Sequence, residues 1–277
     1  MAALRVRGDT LRRKYRDETR TLLRITTRLP GRPTSDDIHD LRVAARRTQV
    51  IRRLLPRPVR ESQASKGFNL ALKSILRGTS QLRDLDTLMD TLRAHNANLP
   101  SELLVNLENQ RSDAAARAKA VSSVVIDTPV PDLEPPRIRG KKLTRRLRKR
   151  AKRRSKTVSR LLAEVLNDEA RVEELHTLRK EVKKLRYLLE LSDGSSSDLP
   201  ALTRVQDSLG AIHDLDVAVS YLERSHFTSK EKAIRELRTA RHSNYLRFVR
   251  SYREPFSEPL GDGLKQLFPG ASGISAY

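Results

Sequence analysis

The sequence predicts an all-α fold built as two pseudo-symmetric, antiparallel four-helix bundles, and three observations carry that expectation. Apolar residues recur at spacings of three and four along almost every segment, while strand-like alternation is nearly absent. Residues 128–136 hold four prolines in nine positions and divide the chain. On either side of that division the same two short patterns occur in the same order.

The helices follow in chain order. Leu11, Tyr15, Leu22, Ile25 and Leu29 fall on one stripe, with Arg12, Arg13, Arg16, Arg20 and Arg24 off it, so the first helix has one apolar and one basic face. Pro30-Gly31-Arg32-Pro33 ends it, because proline fixes φ and removes a donor. Thr34 followed by Asp37 resembles an N-cap with an acidic first turn that opens a second helix. That helix reaches about residue 55, where Pro56 and Pro58 stop it. A third helix is expected over 61–94 with a kink near Gly78, and a fourth over 101–122.

Beyond the Pro-rich segment the periodicity resumes, with helices expected over 141–166, 168–191, 199–227 and 229–254. Gly194-Ser195-Ser196-Ser197 forms a loop between the second and third of these. The expected division is a first bundle over 1–127, a linker over 128–139, a second bundle over 140–254 and a loose Pro/Gly/Ser-rich tail over 255–277.

The repeat supports this count. Ile38-His-Asp-Leu-Arg-Val-Ala-Ala-Arg-Arg47 aligns without gaps to Leu175-His-Thr-Leu-Arg-Lys-Glu-Val-Lys-Lys184. Later in each half, Leu82-Arg-Asp-Leu-Asp86 aligns to Ile212-His-Asp-Leu-Asp216, after a separation seven residues longer in the first half. Two paired elements in one order indicate duplication.

The repeated helices carry the chemistry. His39, Arg42, Arg46 and Arg53 share one helical face in the first half; His176, Arg179, Lys183 and Arg186 share one in the second, with Arg47 and Lys184 on flanking rows. Like charges one turn apart repel by a few tenths of a kcal/mol per pair, so a row of them needs an offsetting partner. A bound anion is the simplest one, since guanidinium forks match phosphate oxygens and imidazole adds a donor. For any single Arg a solvated surface face explains as much. Two matched stripes, each opened by His, point to a ligand. Residues 141–156 form a denser basic tract without a single acid, yet Leu143, Leu147, Ala151, Val158, Leu161 and Leu162 keep an apolar row there, so the tract reads as the first helix of the second bundle.

Composition narrows the partner. Fifty-six Lys and Arg against 34 Asp and Glu give a formal charge of +22, which suits a polyanion or an anionic surface. The 37% hydrophobic content is low but sufficient for a core, and 4% aromatics with no Trp leave little for base stacking. The absence of cysteine excludes disulfides, thiolate metal sites and a Cys nucleophile. No apolar run approaches the ~20 residues of a membrane span, and residues 1–10 lack a signal-like apolar stretch, so a cytoplasmic protein is expected.

His39-x-x-Arg-Val-x-x-Arg-Arg47, His176-x-x-Arg-Lys-x-x-Lys-Lys-Leu-Arg-Tyr187 and the two Asp-Leu-Asp elements resemble the CHAD family, the conserved histidine α-helical domain, over roughly residues 9–254. The resemblance implies one CHAD-type domain of two four-helix bundles whose basic faces line a shared groove. It implies binding of inorganic polyphosphate and location at polyphosphate granules, without catalysis by this domain, and no cofactor is expected. Carried over by position, the implied ligand residues are His39, Arg42, Arg46, Arg47, His176, Arg179, Lys183, Lys184 and Arg186. Arg16 and Arg20 of the first helix, Lys73 and Arg77 of the third, and Arg150 and Arg153 of the basic tract complete the expected polyphosphate-binding set. The first half departs from the family pattern at Thr48-Gln49, where Leu-Arg is usual, and at Thr79-Ser80, where Leu-Gly is usual.

Two rival readings use the same residues. A nucleic-acid binder would share the charge, but aromatic platforms and base-reading motifs are missing from the stripes. A metal phosphohydrolase of the HD type would use His39-Asp40 and His213-Asp214, yet both sit among cations that disfavour a metal, and further ligands have no obvious source. The aspartates read more simply as interhelical partners that fix basic side chains. P-loop and nucleophile-elbow patterns are absent.

Overall fold

A computed structural model describes residues 4–31, 33–95, 99–131, 140–193, 198–226 and 230–253 of the 277-residue chain. Among the described residues there are ten α-helices and no strand: α1 (Gly8–Thr26), α2 (Ser35–Leu54), α3 (Arg57–Glu61), α4 (Gln63–Gly78), α5 (Ser80–Ala94), α6 (Ser101–Ile126), α7 (Gly140–Val165), α8 (Val172–Leu189), α9 (Asp198–Arg224) and α10 (Glu231–Arg253). The fold is all-α, as expected. Most of the expected linker, the Gly194-Ser197 loop and the tail from 255 onward lie outside the described residues.

The described chain forms two compact units. The first holds Val6–Asp90 and Pro100–Thr144; the second holds Thr91–Leu99 and the chain from Arg145, together with the N-terminal residues up to Arg5. In the first unit, all five expected stripe residues of α1 are buried, against α2 and α6. The capping box at the start of α2 is present: Thr34 Oγ1 accepts from the Asp37 amide at 3.1 Å, and Asp37 accepts from the Thr34 amide at 3.1 Å. The bond from the Thr34 amide, then its hydroxyl, holds the Asp37 carboxyl below the usual carboxylate range.

The single helix expected over 61–94 is two, α4 and α5, preceded by the short α3 that reaches only to Glu61. A short α3 starts on Pro56 and ends at Ser62, whose hydroxyl caps α4 by accepting from the Ser65 amide at 3.3 Å. The kink expected near Gly78 falls at Thr79 (φ −98°, ψ 3°), which separates α4 from α5 while its amide still donates to the Ile75 carbonyl at 3.0 Å and the Arg83 amide donates to the Thr79 carbonyl at 3.2 Å. At Gly78 α6 packs closely on α4: a Cβ there would sit 2.5 Å from Cγ2 of Val121, so only a residue without a side chain fits. Thr79 reinforces the kink by donating its hydroxyl to the Ile75 carbonyl at 2.7 Å.

In the second unit, the apolar row of α7 (Ala151, Val158, Leu161, Leu162) packs with Leu175, Leu178, Val182 and Leu185 of α8, with Val205, Leu209 and Ile212 of α9, and with Tyr245 and Phe248 of α10. Tyr245 ties α10 to α7 by donating to the Val165 carbonyl at 2.8 Å. Leu4 joins this core, and Arg148 holds the segment in place by donating to the Leu4 carbonyl at 2.8 Å.

Two glycines in α4 test the packing account. A Cβ on Gly67 would meet nothing within 4 Å, so Gly67→Ala removes only backbone freedom from the unfolded chain. It should raise unfolding stability by about 0.5–1 kcal/mol. Gly78→Ala should instead lower it by about 1–3 kcal/mol, the usual range for overpacking. Denaturant unfolding of both variants checks the opposite signs.

Candidate functional site

The stripe on α2 does not present all its members alike. His39 is exposed, and Arg46 and Arg47 are half-buried. Arg47 reaches Glu18 of α1 at 3.3 Å. Arg42 is buried at 7% exposure, and its Nη1 donates to the Leu76 carbonyl at 2.7 Å and to Thr79 Oγ1 at 3.0 Å. It thereby satisfies a carbonyl in the last turn of α4, at the kink. Burial chiefly, aided by Arg46 and Arg83 and opposed by Asp84, draws this guanidinium down to about 10, which leaves it charged at neutral pH. Arg42 is therefore a clamp between α2 and α4. Arg16 and Arg20 on α1, and Lys73 and Arg77 on α4, are exposed on helices that both flank α2.

The stripe on α8 is arranged differently. His176 Nδ1 lies 3.0 Å from His213 Nδ1 of α9, with ring centroids 4.3 Å apart and planes tilted by 44°. One ring must donate and the other accept, so the contact survives only while one Nδ1 is unprotonated. Arg179 lies within 3.8 Å of Asp214, measured from Nη2 to Oδ1. His213 is pushed down to about 3, first by burial and then by Arg179, His176, Lys183 and Lys180. His176 is lowered by burial, Lys180 and Arg179 against the pull of Glu173 and Asp216. This is a strongly positive region with a neutral imidazole pair inside it.

The other α8 residues divide between anchoring and presentation. Arg186 is engaged on three sides: Nε donates to Gln206 of α9 at 2.9 Å, Nη1 meets Glu190 at 2.8 Å, and the guanidinium carbon stands 5.1 Å from the centre of the Tyr187 ring. Lys184 bonds Glu181 at 2.8 Å, and Arg154 of α7 bonds the other oxygen of the same carboxylate. Burial raises Glu181, but the bonds from Lys184 and Arg154 outweigh it and hold the carboxyl below its ordinary value. Lys183 is half-buried, and Arg150 and Arg153 are exposed on α7.

The paired aspartates act as interhelical partners. Asp86 of α5 accepts from Arg111 of α6 at 2.7 Å, and Asp216 of α9 accepts from Arg241 of α10 at 2.8 Å. Both pairs are 25 residues apart, so the repeat extends to the last helix of each unit. The sequence reading missed two features. His213 is the partner of His176, and the repeat marks its position only by Arg83, which donates to Ser35 Oγ at 2.8 Å. Glu181 and Arg154 pair across two helices, and the only sequence signal is an acid at 181 where the first half has Ala44.

These features define an all-helical, duplicated domain with a basic stripe on one helix of each unit. The family model described as the CHAD domain matches residues 19–223, which is most of the chain. The chain belongs to the CHAD domain family. The crystal structure of the CHAD domain from the plant Ricinus communis has a similar fold, with a TM-score of 0.53 over 99% of this chain and 94% of that one, at 18% identity. No curated protein matches the chain.

The His176–His213 pair gives stability a pH dependence whose sign is fixed. An unfolded His takes up a proton near 6.5, whereas folded His213 resists until about 3. Stability is complete above the unfolded value and falls as the pH drops below it, because the unfolded state binds the extra proton. Between pH 7.5 and 5, His213 should account for a loss of about 1 kcal/mol, after allowance for partial solvent screening. Denaturant midpoints of His213→Gln should fall less over that interval than those of the unaltered protein.

Proposed function

We propose that the chain binds inorganic polyphosphate without turning it over, using the basic stripes on α2 and α8 and the exposed cations beside them. The family supplies the ligand class through the resemblance stated above, and the local chemistry supports it. The observation that carries the reading is the group of cations, Arg179, Lys180 and Lys183, around the His176–His213 contact, where the two rings meet at 3.0 Å. Burial first, and then these cations, hold His213 below its usual value, and an anion at that place would relieve the field they create. Polyphosphate supplies one negative charge per phosphate along a slender chain and needs no aromatic platform.

Within the set, residues fall into two roles. Arg179, Lys183, Lys184 and His176 on α8, with Arg150 and Arg153 on α7, hold the ligand in the second unit. In the first unit His39, Arg46, Arg47, Arg16, Arg20, Lys73 and Arg77 do so, while Arg42 and Arg186 chiefly brace the helices that carry the others. No acid–base pair or nucleophile is assigned, and the protein acts as a cytoplasmic binder at polyphosphate granules.

Binding titrations against a polyphosphate length series test this. Affinity should rise with chain length and fall linearly in the logarithm of salt concentration, as counterion release requires. Equal affinity for pyrophosphate and long chains would overturn it, as would metal-dependent phosphate release that Asp214→Ala abolishes. Arg179→Ala combined with Lys183→Ala should weaken binding by more than about 2 kcal/mol, since charged hydrogen bonds contribute about 1.5–3 kcal/mol each. Arg42→Ala should mainly lower the unfolding midpoint, because it leaves the Leu76 carbonyl without its guanidinium donor.

A further inference from the structure

Glu181 lies on the flank of α8 that faces α7, beside Lys184 and away from the row of His176, Arg179 and Lys183, and a negative charge next to cations of the proposed ligand set is at first sight misplaced. Its side chain is only 9% exposed, and both oxygens are occupied: one by Lys184 of its own helix, the other by Arg154 of α7. The two cations stay open to solvent, with side chains 34% and 44% exposed for Arg154 and Lys184. An ammonium has three donors and a guanidinium five, so each keeps free donors after bonding one carboxylate oxygen.

The first unit makes the contrast. At the position of Glu181 it has Ala44, and the equivalent of Lys184, Arg47, pairs with Glu18 on α1. There the first helix supplies the acid. In the second unit the acid has moved onto the stripe helix, and the first helix supplies a further cation in its place.

We infer that Glu181 is a positioning residue: it yokes Arg154 and Lys184 across α7 and α8 into a two-cation fork that grips adjacent phosphates of a linear polyphosphate. This rests on the polyphosphate reading above. Long, rotamer-rich cations lose conformational freedom when a ligand immobilises them, and a carboxylate that already holds them reduces that cost. The yoke also adds Arg154 to the ligand set.

The inference makes a prediction whose sign opposes simple electrostatics. Removing a negative charge from a polyanion site should tighten binding, whereas loss of the yoke should weaken it. Glu181→Gln should therefore bind long-chain polyphosphate three- to tenfold more weakly, at a temperature well below its unfolding midpoint. In a background carrying Arg154→Gln and Lys184→Gln, the same substitution should have no further effect. Glu181→Asp keeps the charge but withdraws it by one methylene, so it should also weaken binding, and it carries the test if Glu181→Gln does not fold. Unchanged or tighter binding by Glu181→Gln or Glu181→Asp, with a lowered midpoint, would make Glu181 a helix strut and overturn the inference. If the unaltered protein does not bind polyphosphate at all, the proposed function itself fails, which is a distinct result.

Discussion

Setting Arg179 and Lys183, or Arg42 and Arg46, one turn apart on a helix costs a few tenths of a kcal/mol per pair in repulsion. At a formal charge of +22 there are too few acids to neutralise such rows one by one. Several acids are placed where they hold helices together. Asp86 meets Arg111, Asp216 meets Arg241, and Glu181 meets Arg154 and Lys184. Each of these carboxylates joins two helices, so the negative charge is spent on tertiary structure and the stripes keep their positive field.

The two units solve the same problem differently at one position. Arg42 and Arg179 occupy equivalent places in the repeat, yet Arg42 turns inward because Thr79 and the Leu76 carbonyl offer it partners. At the place of Thr79 the second unit has Leu209, which offers no hydroxyl, and Gly210 follows, where a Cβ would lie 3.9 Å from Arg179 Nε. The Thr79-Ser80 departure thus coincides with a helix kink, a buried arginine and the loss of one cation from the surface. In the second unit α9 runs unbroken and brings His213 against His176.

What the sequence disclosed follows from what is local. The apolar stripe from Leu11 to Leu29, the Thr34 N-cap with its acidic first turn and the duplicated His-x-x-Arg pattern depend on spacings within one helix, and these features stand in the structure. The kink near Gly78 was legible from the glycine, but the close approach of Val121 on α6 that requires a glycine there was not, since no helical period encodes that contact. Arg42 was indistinguishable from its neighbours for the same reason, since the carbonyl that buries it belongs to α4. The Glu181–Arg154 pair required knowing which face of α7 meets α8, and a tract with basic residues on every exposed side hides that information.

Competition between long-chain polyphosphate and double-stranded DNA at one fixed salt concentration tests the central claim most directly. Both are polyanions, so charge alone would make them exchange in proportion to their phosphate density. Stripes built for a slender chain without bases predict that polyphosphate displaces bound DNA at substoichiometric phosphate, while DNA leaves bound polyphosphate in place. Displacement of polyphosphate by DNA at equal phosphate concentration would contradict the account.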